Sequence, residues 1–496
     1  MKKYLKCLAL SVILLITVVL HNAWNHQEVL PSTSQIPKVE VDEEQILRLS
    51  KAIQFPTVSR FGSQSGLRLN DKSNAFSEFH SWLRTSYPHV HSKLELTHVN
   101  TYSLLYRWPG KNKNSKPILF VAHQDVVPAN ESSWLHSPYS GKVEEGYIWG
   151  RGTIDDKSSM MAIFESVESL LTQEFIPEQD IYLAFGHDEE VGGELGAKAI
   201  AALLTKQGVY PSFILDEGGF ILADVVPGIQ SPVALIGIAE KGYMNITLTA
   251  NGPPGHSAIP PSASSVNTLA KAITRIVSNP LPAEYLGATQ KLFESTSPYM
   301  SFNYRLLFSN LWLFKPILLS QLTKSPTTNA TVRTTLAITT LNAGVRDNVL
   351  PDKATANINV RLLPGTTPKQ VVDHLKSVIN DPMVEIEVAG TVEQATGISS
   401  VSNSEFDTLK KVVSNVYSSS QVVVAPYLTV NSTDARHYEK LSNNIYRFLP
   451  VFLYDEDLKR IHGPNERISS YSYSKMITFY KKLVEDLASS NTNDKN

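Results

Sequence analysis

The stretch Ile118-Leu-Phe-Val-Ala-His-Gln-Asp125 decides the fold: an unbroken apolar run, then a histidine and an acid. A short uninterrupted apolar run of this kind reads as a strand buried on both faces, as in the parallel sheets of α/β proteins. The pattern recurs. Ile181-Tyr-Leu-Ala-Phe185 runs into His187-Asp-Glu-Glu190, and Phe213-Ile-Leu215 runs into Asp216-Glu217. Between these runs Met160, Ile163, Phe164, Val167 and Leu171 repeat at helical spacing, as do Ile200, Leu203 and Leu204 before Gly208. Strands alternating with helices predict a layered α/β domain with a mostly parallel sheet over residues 42–241.

Moving outward, the periodicity changes near residue 242. Met244, Ile246, Leu248 and Ala250 alternate as in a half-exposed strand, and Val266, Leu269, Ile273 and Ile276 lie on one helical face. Ile358 and Val360 alternate again before Thr367-Pro368 opens a helix carrying Val371, Val372 and Leu375. This β-α-β-β-α series predicts a smaller α+β domain of ferredoxin-like type over 242–394. An apolar, aromatic stretch from Leu281 to Ser325 interrupts it. The α/β character resumes over 395–488, so the small domain is an insertion into the larger one, and residues 489–496 form a polar tail.

At the other end, Lys2, Lys3 and Lys6 precede the apolar run Leu8 to Leu20, the layout of a signal peptide or signal anchor over residues 1–24. Cleavage after Ala23 would place His21 at the upstream small-residue position, which favours an uncleaved membrane anchor. The flanking lysines place the N-terminus in the cytoplasm and the bulk of the chain on the non-cytoplasmic side. Residues 25–41, with Pro31 and Pro37, read as a tether to the folded part. The 496 residues carry 45 Lys+Arg against 47 Asp+Glu, a formal net charge of -2 that argues against nucleic acid as a partner. The single cysteine, Cys7, excludes an intramolecular disulfide framework and a thiolate metal cluster.

The chemistry gathers at four places: His123-Gln-Asp125, Asp155-Asp156, His187 to Glu190, and Asp216-Glu217. All four are read as directly following apolar runs, and ligands bind at the carboxyl ends of strands in an open parallel sheet. Carboxylates packed this densely repel one another and lose ionisation unless a cation sits among them. Imidazole and carboxylate without thiolate suit zinc, or manganese or cobalt in its place. The number of carboxylates suits a pair of ions sharing one bridging Asp. Asp125, two residues beyond His123, fits a role orienting that imidazole.

The segments Ala122-His-Gln-Asp-Val-Val-Pro128, Gly150-Arg-Gly-Thr-Ile-Asp-Asp-Lys157, Gly186-His-Asp-Glu-Glu190 and Ile214-Leu-Asp-Glu-Gly218 resemble the co-catalytic di-zinc metallopeptidases that include aminoacylase-1, carnosinase and glutamate carboxypeptidase. Within that family the likeness is fullest to the carboxypeptidase S (Gly-X carboxypeptidase) and N-fatty-acyl-amino-acid synthase/hydrolase branch, from about residue 45 to 485, including Arg460-Ile-His-Gly463. The resemblance implies a zinc-peptidase-like catalytic domain and a lid that also serves dimerisation. It implies that His123 and Asp216 hold one zinc, Glu190 and His462 the other, and Asp155 bridges them. Glu189 would be the general base and Asp125 would steer His123. His256 would face the tetrahedral oxyanion, Arg361 the substrate carboxylate, and Asn348 the same pocket.

Two departures from the family pattern, Ser158 and the turn Asn431-Ser-Thr-Asp434, fall on residues away from the implied ligands. The resemblance implies hydrolysis of an amide bond next to a free carboxylate, as a carboxypeptidase on short peptides. The alternative is an N-acyl-amino-acid amidohydrolase or synthase, with the 281–325 stretch lining an acyl groove or serving core or dimer packing. An inactive membrane-tethered binding protein is a third reading, disfavoured because no implied ligand is missing.

Overall fold

The computed structural model describes residues 1–28, 40–60, 74–223, 226 and 228–489. Most of the expected tether and tail lies outside these described residues. The larger domain is built on one sheet whose strands, in chain order, are β1 (Glu95–Val99), β2 (Ser103–Trp108), β3 (Ile118–His123), β4 (Ile181–Gly186), β5 (Phe213–Asp216), β6 (Ile221–Leu222), β7 (Val233–Glu240), β8 (Val423–Thr429), β9 (Ile445–Arg447) and β10 (Phe452–Leu453). Their spatial order is β1-β2-β4-β3-β5-β9-β7-β6-β10, with β8 paired to β7. The centre is parallel: β3 lies between β4 and β5, and β9 continues beside β5. Antiparallel pairs occur further out, at β1 with β2, β2 with β4, β9 with β7, and β7 with β6.

Strand β3 is buried along its whole length because both sheet faces are covered. Phe120 points to the core shared with the helices Lys157–Thr172 and Ser470–Ala488, whereas Leu119 and Val121 point to a second core under the helix Ala197–Lys206. Successive side chains of a strand take opposite faces, so an all-apolar run is what two covers require.

The smaller domain is a four-stranded antiparallel sheet in the order 335–343, 353–362, 242–251, 384–393. Helices Ser265–Ser278 and Pro368–Ile379 pack on one face, giving the β-α-β-β-α-β order of a ferredoxin-like unit. Gly242–Asn251 alternates buried and half-buried positions, the pattern of a sheet covered on one side. The stretch from 281 onward folds as helices Gly287–Thr296, Phe302–Phe308, Leu311–Leu322 and Pro326–Val332. It sends Phe293, Met300, Phe308 and Leu318 into the core of the larger domain, not that of the lid. A helix Lys2–Asn25 of mean hydropathy 2.2 precedes the folded part, long and apolar enough to cross a membrane.

Candidate metal centre

Because β3, β4 and β5 run in the same direction, their carboxyl ends deliver His123, the loop from His187 to Glu190, and the pair Asp216-Glu217 to one crevice. Asp155 arrives on the loop that opens the helix Lys157–Thr172. Its carboxylate is placed between two histidines: Oδ1 lies 2.9 Å from His123 Nε2 and Oδ2 lies 2.9 Å from His462 Nε2. Glu190 Oε2 stands 3.2 Å from His462 Nε2, and Glu217 Oε1 stands 3.7 Å from His123 Nε2. Two donor groups result, His123 with Asp155 and Glu217, and Asp155 with Glu190 and His462. Asp155 belongs to both.

Asp216, expected beside His123, is buried at the end of β5. Its carboxylate accepts the Ala435 N–H at 2.7 Å, with Thr433 also bonded to it. Glu217, the next residue, also stands beside His123. Asp216 is the last residue of β5, paired with Arg447 of β9, so the next side chain along an extended backbone points the opposite way. The turn at 431–434 is therefore not remote, since Thr433 touches Asp216 and Asp434 raises the pKa of Glu189.

Asp125 orients the site in two ways. Its backbone carbonyl accepts from His123 Nδ1 at 2.9 Å, and its carboxylate accepts the Glu189 and Glu190 N–H groups at 3.2 and 3.1 Å and the Ser59 hydroxyl at 2.5 Å. One residue thus fixes the imidazole and the loop carrying both glutamates. A further buried carboxylate, Glu466, was not singled out by the sequence. It accepts the Gly152, Ile154 and Asp155 N–H groups at 3.1, 2.7 and 3.2 Å and pairs with Arg151. Arg151 in turn donates to the His462 and Gly463 carbonyls at 3.0 and 3.2 Å, joining the Asp155 loop to the His462 loop.

Burial and neighbouring acids push Glu189, Glu190 and Glu217 above the usual carboxylate range, and Asp434 likewise. Burial disfavours the charge on His123 as well, yet hydrogen bonds to Asp125 and Asp155 outweigh it and raise its pKa. His462 is pushed up to about 10, first by Asp155 and then by Glu190. Among the described residues Glu190 Oε1 is buried without a hydrogen-bond partner. The protons that these acids and histidines hold between them are what a divalent cation would displace. The donors fit such an ion.

The surrounding cleft has a cavity of about 910 Å³ whose lining includes Asp155, Glu189, Glu217, Arg361, Arg436 and His462. Arg361 comes from the lid strand 353–362 and stacks over Tyr243, 4.9 Å from the ring centre. Arg436, whose Nη2 donates to the Gly192 carbonyl at 3.0 Å, adds a second guanidinium with no motif to announce it. His256 and Asn348 do not line this cleft. They lie side by side on the lid, where His256 pairs with Val349 and the Ser257 N–H donates to the Asn348 carbonyl at 3.2 Å.

A crossover sheet with acid and imidazole donors at its carboxyl end and an inserted ferredoxin-like lid defines a class of metal-dependent hydrolase. The model of peptidase family M20/M25/M40 matches residues 119–486, so the chain belongs to that metallopeptidase family. Similar relatives include probable carboxypeptidase S-like 2 of Dictyostelium discoideum, 41% identical over 470 residues covering 92% of this chain and 89% of the relative. The N-fatty-acyl-amino acid synthase/hydrolase PM20D1 of Xenopus tropicalis is 39% identical over 484 residues, covering 96% and 92%. Among solved structures, the M20 family metallo-carboxypeptidase Sso-CP2 from Sulfolobus solfataricus aligns with a TM-score of 0.64 at 18% identity, covering 89% of this chain and 98% of that one. Human carnosine dipeptidase 1 aligns at 0.59 and 15% identity, covering 96% and 99%. These structures share the fold.

Proposed function

We propose that this chain is a zinc-dependent hydrolase, holding two ions, that cleaves amide bonds adjacent to a free carboxylate. The observation that carries this reading is the placement of the two Asp155 oxygens, one toward His123 and Glu217 and one toward His462 and Glu190, with Glu189 and Arg361 lining the same cleft. His123 and Glu217 would hold one ion, Glu190 and His462 the other, and Asp155 both. Bound there, the ions supply Lewis acidity and neutralise the gathered carboxylates.

The residues of the chain divide the remaining work. Arg361 pairs with the substrate carboxylate and so sets which amide reaches the centre. Glu189, raised by burial, takes a proton from the attacking water and returns it to the leaving nitrogen as the C–N bond breaks, leaving a carboxylic acid and an amine. His256 would meet the developing oxyanion from the lid of a second copy and Asn348 would line the carboxylate pocket, so a homodimer through the lid belongs to this reading. The helix Lys2–Asn25 is read as an anchor with the hydrolase on the non-cytoplasmic side.

Both a short peptide and an N-acyl amino acid meet these requirements, in line with the names of the two relatives. A specific feature favours the acyl substrate. A second cavity of about 240 Å³ shares Gly218, Phe220 and Asn431 with the metal cleft and continues between Leu222, Leu292 and Phe293, where an alkyl chain meets apolar walls. The test is zinc stoichiometry on the full chain in detergent, with turnover of a blocked Gly-Leu dipeptide and of an N-oleoyl amino acid before and after chelation. Close to two zinc ions per chain and chelator-sensitive turnover of the oleoyl substrate are expected. Turnover that survives complete metal removal would overturn the proposal.

A further inference from the structure

The helix Leu311–Leu322 is apolar nearly all round, with Lys315, Ser320 and Gln321 its only polar residues. A helix of that composition is normally buried. Here Leu318 and Leu322 are buried, while Trp312 is 64% and Ile317 51% exposed, with Leu313 and Pro316 exposed between them. The side that looks outward is as apolar as the side that looks in.

Its position says what covers it. Asn310, the residue before this helix, is fully buried and donates to the Val19 carbonyl at 3.0 Å, while Asn22 Nδ2 donates to Asn310 Oδ1 at 2.9 Å. Arg305 donates to the Ala23 carbonyl at 3.4 Å and to Gln27 Oε1 at 2.9 Å, and the Glu28 N–H donates to the Pro298 carbonyl at 3.2 Å. The last turns of the N-terminal helix are thus clamped to the insertion by polar contacts, of which the Asn310 bond to Val19 is buried. Val19 lies six residues before Asn25, so at 1.5 Å per residue the start of Leu311–Leu322 sits roughly 9 Å below the top of that helix. That is the level at which the apolar run ends, at Leu20, and it is the depth at which interfacial helices bury their apolar side, about 5–10 Å. Trp24, 73% exposed, lies just above that level, where aromatic rings favour the membrane interface.

We infer that the exposed side of Leu311–Leu322 seats in the surface of the lipid bilayer that the N-terminal helix spans, an inference that rests on reading Lys2–Asn25 as an anchor. The consequence is access. A cavity of about 1060 Å³, lined by Tyr304, Leu307, Leu318 and Leu322, lies beside this surface and shares Phe293 with the apolar cavity that adjoins Gly218 and Phe220 at the metal cleft. A lipid-dissolved acyl chain would pass along the apolar side of this cavity, whose opposite side carries Asp455, Asp457 and Arg460, on its way to the site.

The test uses the full chain with Cys7→Ser in phosphatidylcholine vesicles and nitroxide labels on Trp312→Cys, Ile317→Cys, Leu14→Cys and, as an exposed polar control, Lys410→Cys. Labels at 14, 312 and 317 are expected to relax more with oxygen than with a water-soluble nickel chelate, and the label at 410 the reverse. If 14 reports lipid while 312 and 317 behave like 410, the docking surface is wrong and the anchor stands; if 14 also reports water, the anchor reading itself has failed. Labels at 312 and 317 shielded from both quenchers and cross-linking between copies would show a second chain on this face and overturn the proposal. As a second readout, Trp312→Asp with Ile317→Asp is expected to lower turnover of vesicle-borne N-oleoyl amino acid at least tenfold and leave a soluble N-acetyl amino acid unchanged. Equal loss on both substrates would assign these residues a structural role and refute delivery from lipid.

Discussion

Replacing the Glu189 carboxylate by an amide keeps its volume and removes its basicity, which separates proton transfer from metal binding. Glu189→Gln is expected to retain near-normal metal content while the catalytic rate falls roughly 10²- to 10⁴-fold, the usual contribution of a general base. A rate within a few-fold of the parent would reassign the base. The adjacent pair Asp216-Glu217 gives a sharper contrast. Glu217→Ala removes a side chain that stands 3.7 Å from His123 Nε2 and is expected to lower metal content by one ion per chain. Asp216→Asn keeps an acceptor for the Ala435 N–H and is expected to leave stoichiometry intact. Metal analysis of the two purified variants decides, and loss from Asp216→Asn alone would restore the assignment implied by the family resemblance.

At the scale of elements, the candidate centre depends on what grips the loops that carry its residues. The loop before Lys157–Thr172 hangs its Gly152, Ile154 and Asp155 N–H groups on Glu466, which is itself paired with Arg151. Glu466→Ala strands those donors and leaves the buried Arg151 unpaired, a change expected to cost about 3–5 kcal/mol. Urea unfolding and zinc affinity report it together, since Asp155 and His462 both hang on this contact. The lid strand 353–362 contributes differently. Arg361→Lys preserves the charge and removes the two-pronged geometry, so KM for carboxylate-bearing substrates is expected to rise tenfold or more with a smaller change in kcat. Equal effects on a substrate lacking the carboxylate would refute the clamp.

For the molecule as a whole, burial of neutral histidines next to the centre makes stability depend on pH. His80 Nε2 is 2.6 Å from Gln124 Oε1, and burial lowers its pKa to about 4. The unfolded chain, with an ordinary imidazole, binds the proton more readily, so the stability from this group is complete above about pH 6.5 and is lost as pH falls toward 4. Between pH 7 and 5 the loss is roughly 2 kcal/mol. Denaturant titrations of the parent and of His80→Asn at both pH values are expected to show a shallower decline in the variant; parallel declines would place the acid sensitivity elsewhere.

What the sequence determined by itself was the set of strand-end positions, because an apolar run such as Ile118 to Ala122 names its own strand and direction, and parallel strands bring their carboxyl ends together whatever else the chain does. The ferredoxin-like insertion was legible for a similar reason, as a change of period from buried strand to alternating strand at residue 242. That the Asp216 carboxylate bonds Thr433 and Ala435 was not legible, since these partners lie more than two hundred residues away in the chain. Arg436 and Glu466 were hidden likewise, for no local pattern marks a residue whose partners come from another loop. Only the tertiary structure decided that the apolar insertion joins the larger domain and grips the N-terminal helix, because apolar composition records that a surface must be covered and carries no information about what covers it.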